Sequence, residues 1–279
     1  MPISRKRRWM PPVAAVGLGL VGLAVIAPFL YMLSVSLMGE SELLRWPPPL
    51  LPQAPTLGNY AAALAALPYS KVFFNTAILA GCVMVGQVLT SAAAGYAFAR
   101  LRFPGRDALF TVFLATLLLP AILLVIPRFL LVNALGWVDT YAGLISTELV
   151  SVLGIVLMRQ SFLTLPRDVE EAARLDGASE WTLFWHVMLP LARPAVITLA
   201  LLAFMDQWRN FLWPLVVTRS ADMAVAEVAL AQFHATYTGN WPYQMAAAVL
   251  VTLPVWIVCL VGQRYLMQGL RVSGAGARL

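Results

Sequence analysis

Residues 170–190 read EEAARLDGASEWTLFWHVMLP, a gathering of Asp, Glu and Arg in a chain that is only 11% charged and 61% hydrophobic. A soluble domain carries about a quarter charged residues to cover its surface. A chain of 279 residues with less than half that proportion and a mean hydropathy of +0.79 is expected to be covered by lipid. Such a polar island then marks a place where the chain leaves the bilayer, with membrane spans on either side.

Outward from the island, apolar runs near or above the roughly 20 residues needed to cross a bilayer recur along the sequence. Six spans are drawn, at about 12–37, 72–95, 108–127, 141–159, 194–216 and 244–263. The predicted fold is therefore all-α, a polytopic membrane protein with six transmembrane helices. The first run, VAAVGLGLVGLAVIAPFLYMLSVSL at 13–37, follows SRKRRW as a secretory signal would. It is too long for the usual h-region of about 7–15 residues, so it reads as a retained span.

An even number of spans puts both termini on one side, and the excess of Lys and Arg chooses that side. One set of alternate loops holds the Arg5–Arg8 cluster, Arg100, Arg102, Arg106, Arg159, Arg167, Arg174, Arg193, Arg264, Arg271 and Arg278. The other holds Arg45, Lys71, Arg128 and Arg219. Both termini and the island are expected to be cytoplasmic. The net charge of +6 is thus a topology signal. It forms no continuous basic face, which argues against nucleic acid as a partner. The proline-rich segment SELLRWPPPLLPQAPTLGNYAAAL between the first two spans is not expected to form one long helix. Cys82 and Cys259 lie in apolar runs and read as small buried hydrophobes, with no metal site implied.

Within the island, Pro166 suits a helix start, and Asp168, Glu170 and Glu171 suit the positive end of its dipole. A helix from about Pro166 to Asp176 should end at Gly177, and Ser179 with Glu180 should cap a second helix running to about Leu189. Ala172 and Ala173 leave a flat surface beside Glu171 and Arg174, which reads as a docking knob. Trp181, Phe184, Trp185 and Met188 carry more apolar surface than a solvated loop and need a cover. From the residues alone, a solvated amphipathic linker remains an alternative.

Glu171-Ala172-Ala173, Gly177 and Val187-Met188-Leu189-Pro190 together follow the pattern E-A-A, three residues, G, nine residues, then a hydrophobic residue, any residue and L-P. This resembles the coupling-loop signature of bacterial ABC importer membrane subunits, specifically the sugar-importer branch similar to the second maltose permease subunit. Further pieces lie in the same order: Asn59-Tyr60, Asn75-Thr76, AGYAFARLRFPG at 94–105, LGWVDTYAGLI at 135–145, LPLARPA at 189–195, FLWPL at 211–215 and QRYLMQGL at 263–270. Two places depart from the family pattern. Trp208-Arg209-Asn210-Phe211 stands where Trp-Asn-Glu or Trp-Asn-Asp precedes the Phe, and Pro127-Arg128-Phe129 stands where Pro-Leu-Tyr is usual. Both are expected to face the translocation path.

The resemblance implies an ABC importer type I transmembrane domain and no enzymatic activity on this chain. It divides the chain into residues 1–70 (N-terminal segment, first helix and outer loop), a core at 71–264 containing the coupling loop 161–193, and a tail at 265–279. It implies paired ATPase subunits, a second permease subunit forming a heterodimer, an extracytoplasmic solute-binding protein and surrounding lipid of the bacterial inner membrane. The transported solute would be a sugar or a relative such as a glycerol phosphate ester. By the same resemblance, Glu171 would be the ionic anchor to the ATPase, Ala172 and Ala173 the flat contact and Gly177 the turn. Arg174, Asp176, Leu189 and Pro190 complete the coupling set.

ATP and Mg would sit on the ATPase and no cofactor on this chain. Its two lysines, Lys6 and Lys71, follow no G-x-x-x-x-G-K phosphate loop. GLGLVG at 17–22 lies within a span and reads as a helix-packing surface, not a dinucleotide fingerprint. His186 and His234, without G-x-S-x-G, give a hydrolase almost no support and read as surface or interfacial.

Near the fifth span, Asp206, Gln207, Trp208, Asn210 and Phe211 are candidate path residues, because polar groups at membrane depth face a bundle interior or an aqueous route. Trp208, Phe211 and Trp213 would offer ring faces to a sugar. An internal Asp206–Arg209 ion pair at i, i+3 spacing is the competing reading. The rival function is an ion-coupled secondary transporter with Asp206 as coupling carboxylate, but the internal repeats common in that class are not evident.

Overall fold

The computed structural model describes residues 12–275, with side chains for 16–263. The basic cluster at 5–8 and Arg278 lie outside the described residues; only the backbone is described for Arg264, Arg271 and most of the 263–270 motif. All regular structure among the described residues is helical.

The principal helices are α1 Pro12–Ser36, α2 Tyr69–Arg100, α3 Arg106–Thr116, α4 Val125–Ala134, α5 Val152–Thr164, α6 Arg167–Leu175, α7 Glu180–Leu191, α8 Arg193–Trp208, α9 Leu212–Val217, α10 Ala226–Thr236 and α11 Trp241–Ala275. Three segments, Val16–Ser36, Tyr69–Arg100 and Trp241–Gln263, are long and apolar enough to cross a membrane as single helices. Three bent pairs bring the number to six if each is one span. These are α3 with Ala121–Ala134 at 96°, Tyr141–Glu148 with α5 at 45°, and α7 with α8 at 78°.

The runs drawn at 108–127, 141–159 and 194–216 are therefore not straight helices. In the first, Pro120 takes an extended ψ of 128° and the chain turns before α4. In the second, residues 149–151 leave the helix and Ser151 caps α5 by accepting from the Gly154 N–H. In the third, α8 ends at Trp208 and α9 begins at Leu212. Past residue 264, α11 continues to Ala275.

By internal contacts the chain forms two units, Met1–Leu67 with Phe233–Val251, and Pro68–Gln232 with Thr252–Leu279. In the first, Asn59 Nδ2 donates to the carbonyls of Ser36 and Met38 at 2.9 and 2.8 Å, while Tyr60 and Ser36 hydroxyls meet at 2.6 Å. These bonds end α1 and fold back the proline-rich stretch, whose helices are short, Glu40–Leu43 and Gly58–Ala66. Gly17, Gly19 and Gly22 have nothing within 4 Å of a built Cβ, so the expected close packing of that stretch is not made within the described chain.

In the second unit α2 is the central post, packed along α5 and α8. Gly95 allows the approach to α5: a Cβ there would lie 2.7 Å from Met158 Cβ and 2.8 Å from the Arg159 nitrogen. At the other end of α2, Asn75 Nδ2 donates to the Asp222 and Ala224 carbonyls, and the Tyr141 hydroxyl donates to Asn75 Oδ1 at 2.6 Å. Thr76 Oγ1 accepts from the Ala226 N–H at 2.9 Å. Asp139 accepts from the backbone N–H groups of Arg219 and Ser220, which hold its carboxyl below the usual aspartate range. Cys82 is exposed, not buried as expected, and both cysteines are free thiols.

Candidate functional site

The polar island folds as its caps predict. Helix α6 runs Arg167–Leu175, the chain reverses at Gly177 with φ +82°, and Ser179 Oγ accepts from the Thr182 N–H at 3.2 Å to start α7. From Leu183 to Met188 the helix widens to π geometry, which sets Leu183 and Met188, five residues apart, into the same core with Phe184. That core also holds Tyr96, Ala99, Met158 and Phe162, so α7 is built into the bundle and its aromatic surface is covered mostly by the protein itself. Trp181 is the exception, 71% exposed.

On α6 the two adjacent glutamates part company. Glu170 is buried: its Oε1 lies 2.9 Å from Arg100 Nε, and both side chains are nearly inaccessible, at 6% and 4%. The atoms are not aligned for a hydrogen bond, so the attraction is that of charge. Glu171 is exposed, as are Ala172, Arg174, Asp176, Gly177 and Pro190, whereas Ala173 and Leu189 are half-buried against the core. The flat patch expected from two alanines is thus carried outward by Ala172, with Ala173 turned inward. Arg174 bonds Glu180 at 2.9 Å and lies 3.7 Å from Glu170. Although partial desolvation works against it, Glu180 raises the Arg174 guanidinium above its usual value.

A second feature is a cavity of about 530 Å³ lined by residues of 121–128, Glu148 and 206–213. It brings together Asp206, Gln207, Asn210 and Phe211 and adds Arg128, Glu148, Arg209 and Trp213. Trp208 is not in its wall; it is 5% exposed and packs with Ala80, Val255, Phe73 and Phe204. Arg128 pairs with Glu148, donates to Thr147 Oγ1 at 2.7 Å and lies 4.3 Å over the Trp213 ring. Gln207 Nε2 reaches Glu148 Oε2 at 3.4 Å, and Asn210 Nδ2 donates to Gln207 Oε1 at 3.1 Å. The Asp206–Arg209 ion pair of the competing reading is not formed among the described residues. The cavity thus presents both charges, amide groups and aromatic faces, a mixture suited to a hydroxyl-rich solute. Glu148 escaped the sequence reading although a carboxylate inside an apolar run is itself the signal.

A family model described as binding-protein-dependent transport system inner membrane component matches residues 87–272. The chain belongs to this family. Among its relatives is the arabinooligosaccharides transport system permease protein AraQ of Halalkalibacterium halodurans, 33% identical over 96% of this chain and 99% of that protein. The sn-glycerol-3-phosphate transport system permease protein UgpE of Rhizobium meliloti is 32% identical over 88% and 90%. A chain from the crystal structure of a bacterial ABC transporter involved in the import of the acidic polysaccharide alginate superposes with a TM-score of 0.80, at 28% identity over 95% of this chain and 99% of that one. The all-helical bundle is accordingly an ABC importer type I transmembrane domain, and the protein is a multi-pass membrane component of such a transport system.

Proposed function

We propose that this chain is the permease subunit through which an ATP-driven importer moves a sugar or a related solute. An extracytoplasmic binding protein delivers the solute, and paired ATPase subunits engage the segment Glu170–Pro190. The observation that carries the reading is the division of labour on α6. Glu171 and Ala172 on the helix, with Asp176 just past its end, are presented outward, while Glu170 and Ala173 are held inward against the bundle, as a docking element requires. Both termini and this segment are cytoplasmic in this reading, which the distribution of Lys and Arg supports. The second membrane subunit is a different chain, and ATP and Mg bind the ATPase subunits. The region 71–264 is the transmembrane core and 161–193 its coupling loop. Asp206, Gln207, Asn210 and Phe211, joined by Arg128, Glu148 and Trp213, line the solute route. The carbohydrate and glycerol phosphate systems of its relatives support the solute class.

The test is ATP-dependent uptake by vesicles containing this chain with its partner subunits and binding protein, comparing wild type with Glu171→Lys and following co-purification of the ATPase. Loss of uptake and of the ATPase, with the variant still inserted, is the expected result. Unchanged uptake and assembly would remove Glu171 from the docking role. Uptake by this chain alone under an ion gradient would overturn the importer reading.

A further inference from the structure

Beyond the outward docking surface, the inner side of α6 carries a closed set of polar contacts to α2. Tyr96 and Arg100 stand one turn apart on α2, and Glu170 and Arg174 one turn apart on α6. Arg100 meets Glu170 at 2.9 Å, Arg174 meets Glu180 at 2.9 Å, and the Tyr96 hydroxyl donates to Glu180 Oε2 at 3.0 Å. Arg100 does more than pair. Its Nη2 donates to the carbonyls of Phe162, in the last turn of α5, and of Leu165, just past its end, at 2.5 and 2.6 Å; the Phe162 carbonyl also accepts from the Leu165 N–H. One guanidinium therefore fastens the last turn of α5, the linker at Pro166 and the first turns of α6 to the end of α2.

The members differ in strength. Arg174 and Glu180 are 40% and 52% exposed, so solvent screens their attraction. Arg100 and Glu170 are almost wholly withdrawn from water, where a charge cannot part from its partner without a large desolvation penalty. Parting this pair is therefore costlier than parting the exposed one.

We propose that Arg100 and Glu170 are the positioning pair that locks the coupling helix to the second span, so that displacement of α6 by the ATPase becomes displacement of α2. This rests on the proposed docking of α6. Glu171 faces the partner; Glu170 delivers the motion inward.

The experiment uses the assembled transporter in liposomes, with Cys82 and Cys259 replaced by serine and spin labels at Asp168→Cys and Ala93→Cys, both exposed positions. In this otherwise wild-type complex the interlabel distance should be the same with and without a non-hydrolysable ATP analogue, because the two helices move together. A distance that changes on nucleotide binding would overturn the proposal. Glu170→Gln, which keeps shape and removes charge, should broaden the distribution and lower solute imported per ATP hydrolysed by about tenfold, within the range for a broken coupling contact. A Glu170→Gln complex that assembles with unchanged import per ATP would also overturn it. Should that variant fail to assemble, the wild-type distances still decide. Absence of ATP-dependent uptake by the unlabelled complex would count against the importer reading itself.

Discussion

Adjacent residues of like chemistry do different work here. Glu170 and Glu171 are equivalent in the sequence, but a rotation of one position on α6 buries the first against Arg100 and exposes the second. Asp139, just before the turn into Tyr141, has a carboxylate that accepts two backbone N–H groups from residues 219 and 220. Its folded pKa is lowered, so its contribution is present above the ordinary aspartate value of about 3.9 and lost as pH falls through the folded value. Asp139→Asn should therefore have a lower melting temperature than wild type at neutral pH, with the gap narrowing below about pH 4 as the wild-type carboxyl takes up its proton. Melting curves of the two purified proteins across that range are the check; a gap constant with pH would refute the role.

Hydropathy located the apolar runs of the helices but not their breaks. It measures transfer of side chains into lipid, whereas the breaks before α4, α5 and α9 are set by backbone direction, by Pro120, by the Ser151 cap and by where α8 stops. Signals that do specify the backbone were legible: Gly177 and Ser179 placed the turn and the cap of the island within a residue or two. The packing of α2 against α5 depends on the absent side chain at residue 95. Gly95→Leu should cost about 1–3 kcal/mol or more through overpacking, while Gly81→Leu, on the same helix with nothing within 4 Å, should cost little. A drop in melting temperature of the detergent-purified protein for the first and not the second is expected; since leucine is the better helix former of the two, propensity cannot produce a drop, and equal drops would mean that the close approach at residue 95 is not the cause.

At the scale of the molecule, arginines that depart from the family pattern at two distant places in the sequence line one cavity. Arg128 and Glu148, from two of the bent pairs, neutralise each other beside Gln207 from the third. Under the proposed function, Arg128→Ala leaves Glu148 partly buried without its partner and should reduce uptake at least about tenfold without loss of the ATPase subunit. Adding Glu148→Ala should recover part of that loss, since neither charge then remains unpaired. Uptake by Arg128→Ala at the wild-type rate would exclude the pair from the route.

The sequence by itself determined the membrane class, the helical fold, the island with its caps and the family motif. Each of these is written in local composition, spacing or turn chemistry, which act over a few residues. Only the tertiary structure decided that Glu170 belongs to Arg100, that Trp208 is core and not cavity wall, and that Arg128, Glu148 and Gln207 meet. Those pairings join residues 20 or more positions apart or depend on which way a helix faces its neighbour, and no local pattern of hydrophobicity or charge carries that information.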